Sequence, residues 1–599
     1  MQKTRFDNMP CPVARSLDRV GEWWSILILR DAFHGLSRFD EFQQSLGLSP
    51  TILTRRLRYL VESGILHKQR YQTRPVRYEY LLTERGKDFF PVLAALFHWG
   101  NTHLADDGIS AELVDRRTGQ PIRVELIDSI TRQPIALHNI TLAPGPAATD
   151  GMRQRAALMQ QNLSAFPPRI IQGVTMNSRR IVITGMGAVS PLGCGVEAIW
   201  QRLLNGQSGI RPLPEEIVAD LQVKIGGQVP SLEQDAEAGF DPDSSVPPKD
   251  QKKMDRFILL AMAAADEAIR QAGWTADTED KQERTATVIA SGIGGFPAIA
   301  HAVRTTDSRG AKRLSPFTIP SFLVNLAAGH VSIKHQFKGP IGAPVTACAA
   351  GVQAIGDAVR MIRNDEADIA LCGGTEAAID TVSLGGFAAA RAMSTTSPEE
   401  AEKASRPFDS ARNGFVMGEG AGMLVIETLE HALARGATPL AEIVGYGTSA
   451  DAYHMTSGAE DGDGAYRAMK IALKQAGVAP EQIQHLNAHA TSTPVGDLGE
   501  INAIKHLFGT GSSIAITSTK SATGHLLGAA GGLETIFTAL ALRDQIAPAT
   551  LNLDNPDPAA EGLHLVANKA QPMTINYALS NGFGFGGVNA SILLKRWQG

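Results

Sequence analysis

One cysteine stands among the small residues of Val345-Thr346-Ala347-Cys348-Ala349-Ala350-Gly351, directly ahead of an apolar helical pattern at Val352, Ile355, Val359 and Ile362. A thiol so placed faces unpaired backbone N–H groups and the positive end of a helix dipole, both of which favour thiolate. Such stabilisation turns a group titrating near ~8.5 into a nucleophile at neutral pH. A small cysteine packing a helix start satisfies the same seven residues, so the reading turns on what lies downstream. His489 lies in Asn487-Ala488-His489-Ala490-Thr491-Ser492-Thr493-Pro494, and Lys520 and His525 lie in Ser518-Thr519-Lys520-Ser521-Ala522-Thr523-Gly524-His525-Leu526-Leu527-Gly528. Each stretch follows a short strand-like apolar run and precedes a helical pattern, which puts these side chains on strand-to-helix turns. A lone histidine is usually structural. Two histidines, a lysine and a helix-capping cysteine in such turns make a candidate catalytic set.

From about Arg179 onward the chain resembles the β-ketoacyl-acyl carrier protein synthases, closest to the type II elongating enzymes. Further landmarks, in order, are Arg180-Ile181-Val182-Ile183-Thr184-Gly185-Met186-Gly187, Gly385-Gly386-Phe387, Arg406-Pro407-Phe408-Asp409, Asp451 to Thr456 and Asn581-Gly582-Phe583-Gly584-Phe585-Gly586-Gly587. The opening Gly-x-Gly lacks the third glycine of a dinucleotide-binding turn. The resemblance implies a thiolase-like α/β fold in αβαβα layers, with two similar halves at 179–429 and 430–599. It implies Cys348 as the acylated nucleophile, with the backbone amides of Cys348 and Phe585 as oxyanion donors. His489 and His525 would stabilise the enolate formed on malonyl decarboxylation, and Lys520, linked to Glu534, would hold their electrostatics. Thr491, Thr493 and Thr456 would bind the substrate arm, Phe387 and Phe585 would gate, and Ile293 would close the base of the acyl pocket. Lys249, Lys252, Lys253, Arg256, Lys312, Arg313 and Arg391 match positions that dock an acidic carrier; a solvated basic surface is the plainer alternative. No metal and no cofactor is implied, the substrates riding on the 4'-phosphopantetheine of acyl carrier protein. His525 argues against thiolases and initiating synthases, and Cys348 against chain-length factors. Ala490 and Val588 depart from the usual glycine and threonine, which puts substrate preference in question and leaves a polyketide-type ketosynthase open.

The first hundred residues carry a different pattern. Arg38 to Leu46 reads as a helix, Gly47-Leu48-Ser49-Pro50 as a tight turn with a good N-cap, and Thr51 to Glu62 as a second helix. Thr51, Thr54, Arg55, Arg56 and Arg58 fall on the polar side of that helix. Lys68 to Tyr80, with Arg74-Pro75 at its turn, alternates like a β-hairpin wing. Residues 49–80 hold seven basic side chains against two acidic ones in a chain of net charge −5. That concentration is the electrostatic footprint of duplex binding. Together with Trp24-Ser25-Ile26-Leu27-Ile28-Leu29-Arg30 and Tyr78-Glu79-Tyr80-Leu81-Leu82-Thr83, it resembles the HxlR family of winged-helix transcriptional regulators at 1–110. Such proteins bind DNA as dimers through flanking helices, one of which Thr83 to Leu104 would supply. Cys11 falls where several relatives carry a thiol.

Residues 111–148 read as a small β-extension and 149–178 as a linker. Met176 stands where a free-standing synthase would begin. Four cysteines without paired spacing point to a reducing compartment, and the lack of a signal peptide or long apolar run to the cytoplasm. The expectation is a homodimeric condensing enzyme fused to a DNA-binding module. Two other arrangements stay open: an enzyme body carrying a passenger, and an acyl-responsive regulator using the condensing domain as its sensor.

Overall fold

The computed structural model describes residues 12–104, 111–117, scattered positions between 121 and 154, and 179–598. The chain divides into two compact units, Met1–Thr175 and Met176–Gly599. Cys11, the 155–178 stretch of the linker and much of the expected β-extension lie outside the described residues. Within that extension the described part includes an isolated bridge between Val114 and Pro121.

The first unit runs α1 (Pro12–Val20), α2 (Trp23–Phe33), α3 (Phe39–Leu46), α4 (Pro50–Glu62), an antiparallel hairpin β1 (Leu66–Thr73) and β2 (Val76–Leu82), and α5 (Phe90–His103). Helix α3 stops because Gly47 takes φ 63°, a left-handed conformation open to glycine at little cost. Two residues later the Ser49 hydroxyl accepts from the Ile52 amide at 3.5 Å, with Pro50 in the first turn of α4. Leu53, Leu57 and Leu60 recur at helical spacing and lie fully buried against Ile28, Leu29 and Phe42. The hairpin is tied to the start of α3 by the Tyr80 amide donating to the Ser37 carbonyl at 2.7 Å.

The second unit is built from a pattern used twice. Its first half contains β3 (Ile181–Ser190), α6 (Arg256–Ala272), β4 (Thr285–Ala290), β5 (Ile341–Gly342), α7 (Ala350–Arg363), β6 (Ile369–Glu376) and β7 (Gly420–Thr428). The second contains β8 (Ala441–Ala450), α8 (Asp463–Ala476), β9 (His485–Asn487), α9 (Pro494–Phe508), β10 (Ala515–Thr517), α10 (Ala530–Asp544), β11 (Tyr577–Gly584) and β12 (Val588–Arg596). The strand order is β5-β4-β6-β7-β3 in one half and β10-β9-β11-β12-β8 in the other. In both halves the first three strands and the fifth run parallel to one another, and the fourth, β7 or β12, runs antiparallel to its two neighbours. Helices α7 and α10 pack against each other between the half-sheets, and α6 and α8 cover the outer faces. Every residue of α10 from Ala530 to Leu542 is buried, as a central layer requires.

The repetition also explains the opening Gly-x-Gly. A Cβ on Gly185 or Gly187 would lie 2.1 or 1.9 Å from the carbonyl oxygens of Ala268 or Ala264 on α6. Gly445 and Gly447 of β8 stand in the same relation to Ala472 and Ala468 of α8, at 2.1 and 2.0 Å. These glycines let a helix backbone rest on a strand; no phosphate is needed to account for them.

Candidate functional site

Cys348 sits in a 3-10 turn, Ala347–Ala349, that leads straight into α7. Ala347 is held at φ 50°, a strained conformation for a residue with a Cβ. The turn presses on the end of β11, where a Cβ on Gly584 would lie 2.6 Å from the Thr346 carbonyl and 3.2 Å from the Cys348 amide. That approach brings the backbone amides of Phe585 and Cys348 onto the thiol.

The thiol's protonation differs from the expectation raised by its helix. Burial pushes the Cys348 thiol up to about 12, outweighing the pull of Lys520 and of the two amides. The resting group is therefore the thiol, because desolvation penalises the anion more than the helix start repays it.

The histidines arrive from the other half. His489 follows β9, and its amide and that of Ala490 both donate to the Glu500 carboxylate, at 2.9 and 2.6 Å. Ala490 lies outside the left-handed region, so its extra carbon costs no backbone strain where glycine is usual. His525 is fixed through its backbone, donating to the Val416 carbonyl at 2.7 Å and accepting from the Gly418 amide at 2.9 Å. The two rings meet edge to face with centroids 5.3 Å apart. Both imidazoles are held well below their usual value, first by burial and then by the Lys520 ammonium, with His525 adding to the effect on His489. They are neutral at physiological pH. Lys520 is 1% exposed and donates to Glu534, whose carboxyl burial pushes up against the attraction of that ammonium.

One cavity of about 430 Å³ is lined by Cys348, Phe387, Arg391, Phe415, Thr456, His489, Thr491, Thr493, His525 and Phe585, among others. Thr491 and Thr493 face each other, hydroxyl to hydroxyl at 3.1 Å. Phe387 stands 6.2 Å from Phe585 and 5.4 Å from Phe415, a ring column across the cavity. Ile293 belongs to the apolar cluster behind Cys348, with Phe387 and Leu527. Lys520 and Glu534 lie behind the wall. Among the carrier-docking candidates, Lys249, Lys252, Lys312, Arg313 and Arg391 are exposed. Lys253 is bonded to Asp250 at 2.6 Å, and Arg256, with its side chain 42% exposed, is ion-paired with the buried carboxylate of Glu419 at 2.7 Å, so the charges of these two already have partners within the chain.

The site also uses residues that motif reading passed over. Asp497 and Glu500 fall at helical spacing on one face of α9 and are both buried. Asp497 accepts from the Phe408 and Ser492 amides, and burial pushes its carboxyl up to about 7. Asn589 donates to Asp451 at 2.6 Å beside the cavity. A pair of acids on an otherwise apolar helix face, just past His489, was the available signal.

On the first unit, Thr51, Thr54, Arg55 and Arg58 form one exposed face of α4, and Arg74 is exposed at the hairpin turn. Arg56 does not belong with them. It is 8% exposed and ion-paired with Glu22 at the start of α2. Its position falls one residue off the polar face, so its guanidinium points toward the helix packing and takes a partner there.

This cavity-facing cysteine, the neutral histidine pair and the doubled αβαβα body define a thiolase-like condensing enzyme. Family models described as the N-terminal and C-terminal domains of beta-ketoacyl synthase match residues 178–432 and 440–554, and one described as HxlR-like helix-turn-helix matches residues 19–107. The chain is 52% identical to 3-oxoacyl-(acyl-carrier-protein) synthase 2 of Rhizobium meliloti over 70% of its own length and 100% of that protein. It is 46% identical to the mitochondrial 3-oxoacyl-(acyl-carrier-protein) synthase of Arabidopsis thaliana, over 73% and 98%. A beta-ketoacyl synthase crystal structure from Burkholderia phymatum superposes with TM-score 0.65 at 33% identity, over 70% of this chain and all of that one. A type II PKS ketosynthase solved with its acyl-carrier protein gives 0.63 at 31%, with the same coverage. The chain belongs to the β-ketoacyl synthase family and carries an HxlR-type helix-turn-helix ahead of the synthase.

Proposed function

We propose that the chain is a 3-oxoacyl-acyl carrier protein synthase of fatty acid synthesis whose reaction runs through Cys348, and that its first unit binds duplex DNA. The observation that carries the enzymatic reading is the meeting, in one cavity, of a thiol under two backbone amides and two neutral imidazoles. Cys348 attacks an acyl thioester; the Cys348 and Phe585 amides hold the oxyanion, and the carrier thiol leaves with the proton given up by Cys348. A neutral imidazole in the same cavity is the group suited to pass that proton. Malonyl carrier then enters, and His489 and His525 donate N–H groups to its thioester oxygen. Carbon dioxide departs, the enolate carbon attacks the acyl-cysteine, the carbon–sulfur bond breaks, and the released Cys348 thiolate takes up one proton from solvent to return to the thiol. Thr491, Thr493 and Thr456 bind the phosphopantetheine arm, Phe387 and Phe585 gate it, and no further cofactor enters. Lys249, Lys252, Lys312, Arg313 and Arg391 dock the carrier. The relatives at 52% and 46% identity bear the 3-oxoacyl synthase name, against 31% for the polyketide ketosynthase, which favours the fatty acid pathway.

The histidine roles are tested by variants and by pH. His489→Ala and His525→Ala are expected to slow malonyl decarboxylation by about 10²-fold or more, the usual cost of losing an oxyanion donor, and acyl loading by less. Wild-type decarboxylation should show no inflection near the ordinary imidazole value between about pH 6 and 8, since the neutral form persists below it. Such an inflection would show that an imidazole titrates in the cavity and that the neutral pair is wrong.

The DNA reading rests on the exposed face of α4 and on Arg74. Arg55→Ala with Arg58→Ala should weaken binding to an inverted-repeat duplex and lower the salt slope by about 1 per lost phosphate contact. Arg56→Met should leave that slope unchanged while lowering thermal stability, because Glu22 loses its partner. A slope that falls with Arg56 and not with Arg55 and Arg58 refutes the assignment. Leu17, Trp23, Phe90, Leu96 and Trp99 are exposed on and beside α1 and α5, an apolar surface suited to a second copy. A homodimer with paired half-sites is the assembly we infer. Among the described residues no helix is long and apolar enough to cross a membrane.

A further inference from the structure

Glu376, the last residue of β6, is fully buried and the steps above do not use it. One carboxylate oxygen accepts from the Ser291 hydroxyl at 2.6 Å and from the amides of Ile293 and Gly294 at 3.2 and 3.3 Å. The other accepts from the Gly292 amide at 2.7 Å and the Gly528 amide at 3.0 Å. Four of these donors belong to the loop after β4, in the first half of the body. The fifth belongs to the turn after His525, in the second half. The loops touch: a Cβ on Gly528 would lie 2.2 Å from the Gly292 nitrogen.

Each clamped loop presents one apolar side chain to the space around Cys348. Ile293 comes from the first loop and Leu527 from the second, and both pack in the cluster that contains Cys348 and Phe387. Leu527 is held at φ 48°, a strained conformation that persists only where its surroundings over-determine it. The bond from the next amide, Gly528, to Glu376 is one such constraint. A carboxylate suits the position because it only accepts, and all five partners donate. Burial pushes its carboxyl up while the Ser291 hydroxyl and the amides hold it down.

We propose that Glu376 is a positioning residue that sets the depth of the acyl pocket by clamping together the loops carrying Ile293 and Leu527. The inference rests on the condensing-enzyme reading, in which Cys348 carries the acyl chain. Glu376 touches neither substrate nor reacting atoms; it acts through the two side chains it spaces.

Glu376→Gln is nearly isosteric but replaces one accepting oxygen by a donor, which must face amides that also donate. The experiment measures Cys348 acylation by hexanoyl and hexadecanoyl carrier thioesters, and malonyl decarboxylation, on full-length wild type and variant. The expected result is a change of at least about tenfold in the ratio of hexadecanoyl to hexanoyl kcat/KM, the scale on which a remodelled apolar pocket discriminates. Decarboxylation, which does not use the acyl pocket, should change by less than about threefold on the same scale. Glu376→Asp keeps the charge but is too short to reach both loops, so it should shift the ratio in the same sense. Ser291→Ala removes one bond and keeps the carboxylate; it carries the test if Glu376→Gln does not fold. An unchanged ratio overturns the proposal, and so does an equal fall in all three activities, the mark of a merely structural carboxylate. Absence of acyl-enzyme on wild type would overturn the reading of Cys348 itself, and the clamp with it.

Discussion

Cys348→Ala is expected to abolish acyl transfer, by more than about 10⁴-fold, while the protein folds as before. Losing the nucleophile of a unit that acts together costs nearly the whole chemical advantage. The stability change should stay within about 1 kcal/mol, since a small half-buried side chain is replaced by a smaller one and the two amides aimed at it lose only a weak sulfur acceptor. Acidity alone does not single this cysteine out, because burial also pushes the Cys194 thiol up to about 12 and the Cys372 thiol higher. Surroundings decide. Cys194 has the carboxylates of Glu267 and Asp235 near it against the guanidinium of Arg256, whereas the Lys520 ammonium stands ahead of the Glu376 carboxylate in its effect on Cys348, and Cys372 is sealed inside β6 with 0% exposure. Only Cys348, among the described cysteines, opens on a cavity with two amides aimed at the sulfur. Peptide mapping after incubation with acyl carrier should place the adduct on Cys348. An adduct on Cys194, Cys372 or Cys11 would refute the assignment.

What could be read from the chain and what could not divide along physical lines. The turns carrying Cys348, His489 and His525 were legible because small residues, apolar runs and a reactive side chain coincide within a few positions. The helix-turn-helix was legible because Gly47, Ser49 and Pro50 each have a conformational reason to be where they are. The partners of these groups were not. Glu376 meets amides from two segments distant in sequence, and nothing local in the chain marks it as the centre of such a set; Glu500 lies only 11 residues past His489, and its place beside Asp497 on one face of α9 was a signal that motif reading passed over. Arg56 was misread for a related reason: three arginines within four residues look like one basic face, yet a shift of one position on a helix turns a side chain by about 100°. The protonation of Cys348 was misjudged because a helix start can be seen in sequence, whereas the depth at which the thiol is buried cannot.

Lys520→Ala should be the most destabilising single change at the site and should also abolish condensation. Removing the ammonium leaves Glu534 buried and unpaired, and breaking such a pair typically costs about 3–5 kcal/mol. Glu534 is 3% exposed, so water cannot take over from the lysine. The variant can relieve the cost only by protonating Glu534, and this fixes the sign of its pH dependence. The folded-state carboxyl is raised above its unfolded value, so the stability tied to its neutral form is fully present at low pH. It is lost as pH rises from the ordinary carboxylate range through the raised value. Lys520→Ala should therefore melt closest to wild type in acid and fall away steadily toward neutral pH, which a series of Tm measurements will show. Lys520→Met with Glu534→Gln removes both charges and should recover most of the stability at pH 7, as replacing a buried pair by neutral groups of similar shape often does. Condensation should not recover with it. The two histidines are kept neutral partly by the Lys520 ammonium, and without that charge their pKa values climb toward the ordinary imidazole range. A double variant that regains both stability and activity would reduce the lysine to a packing element; one that regains stability alone assigns its charge to the chemistry.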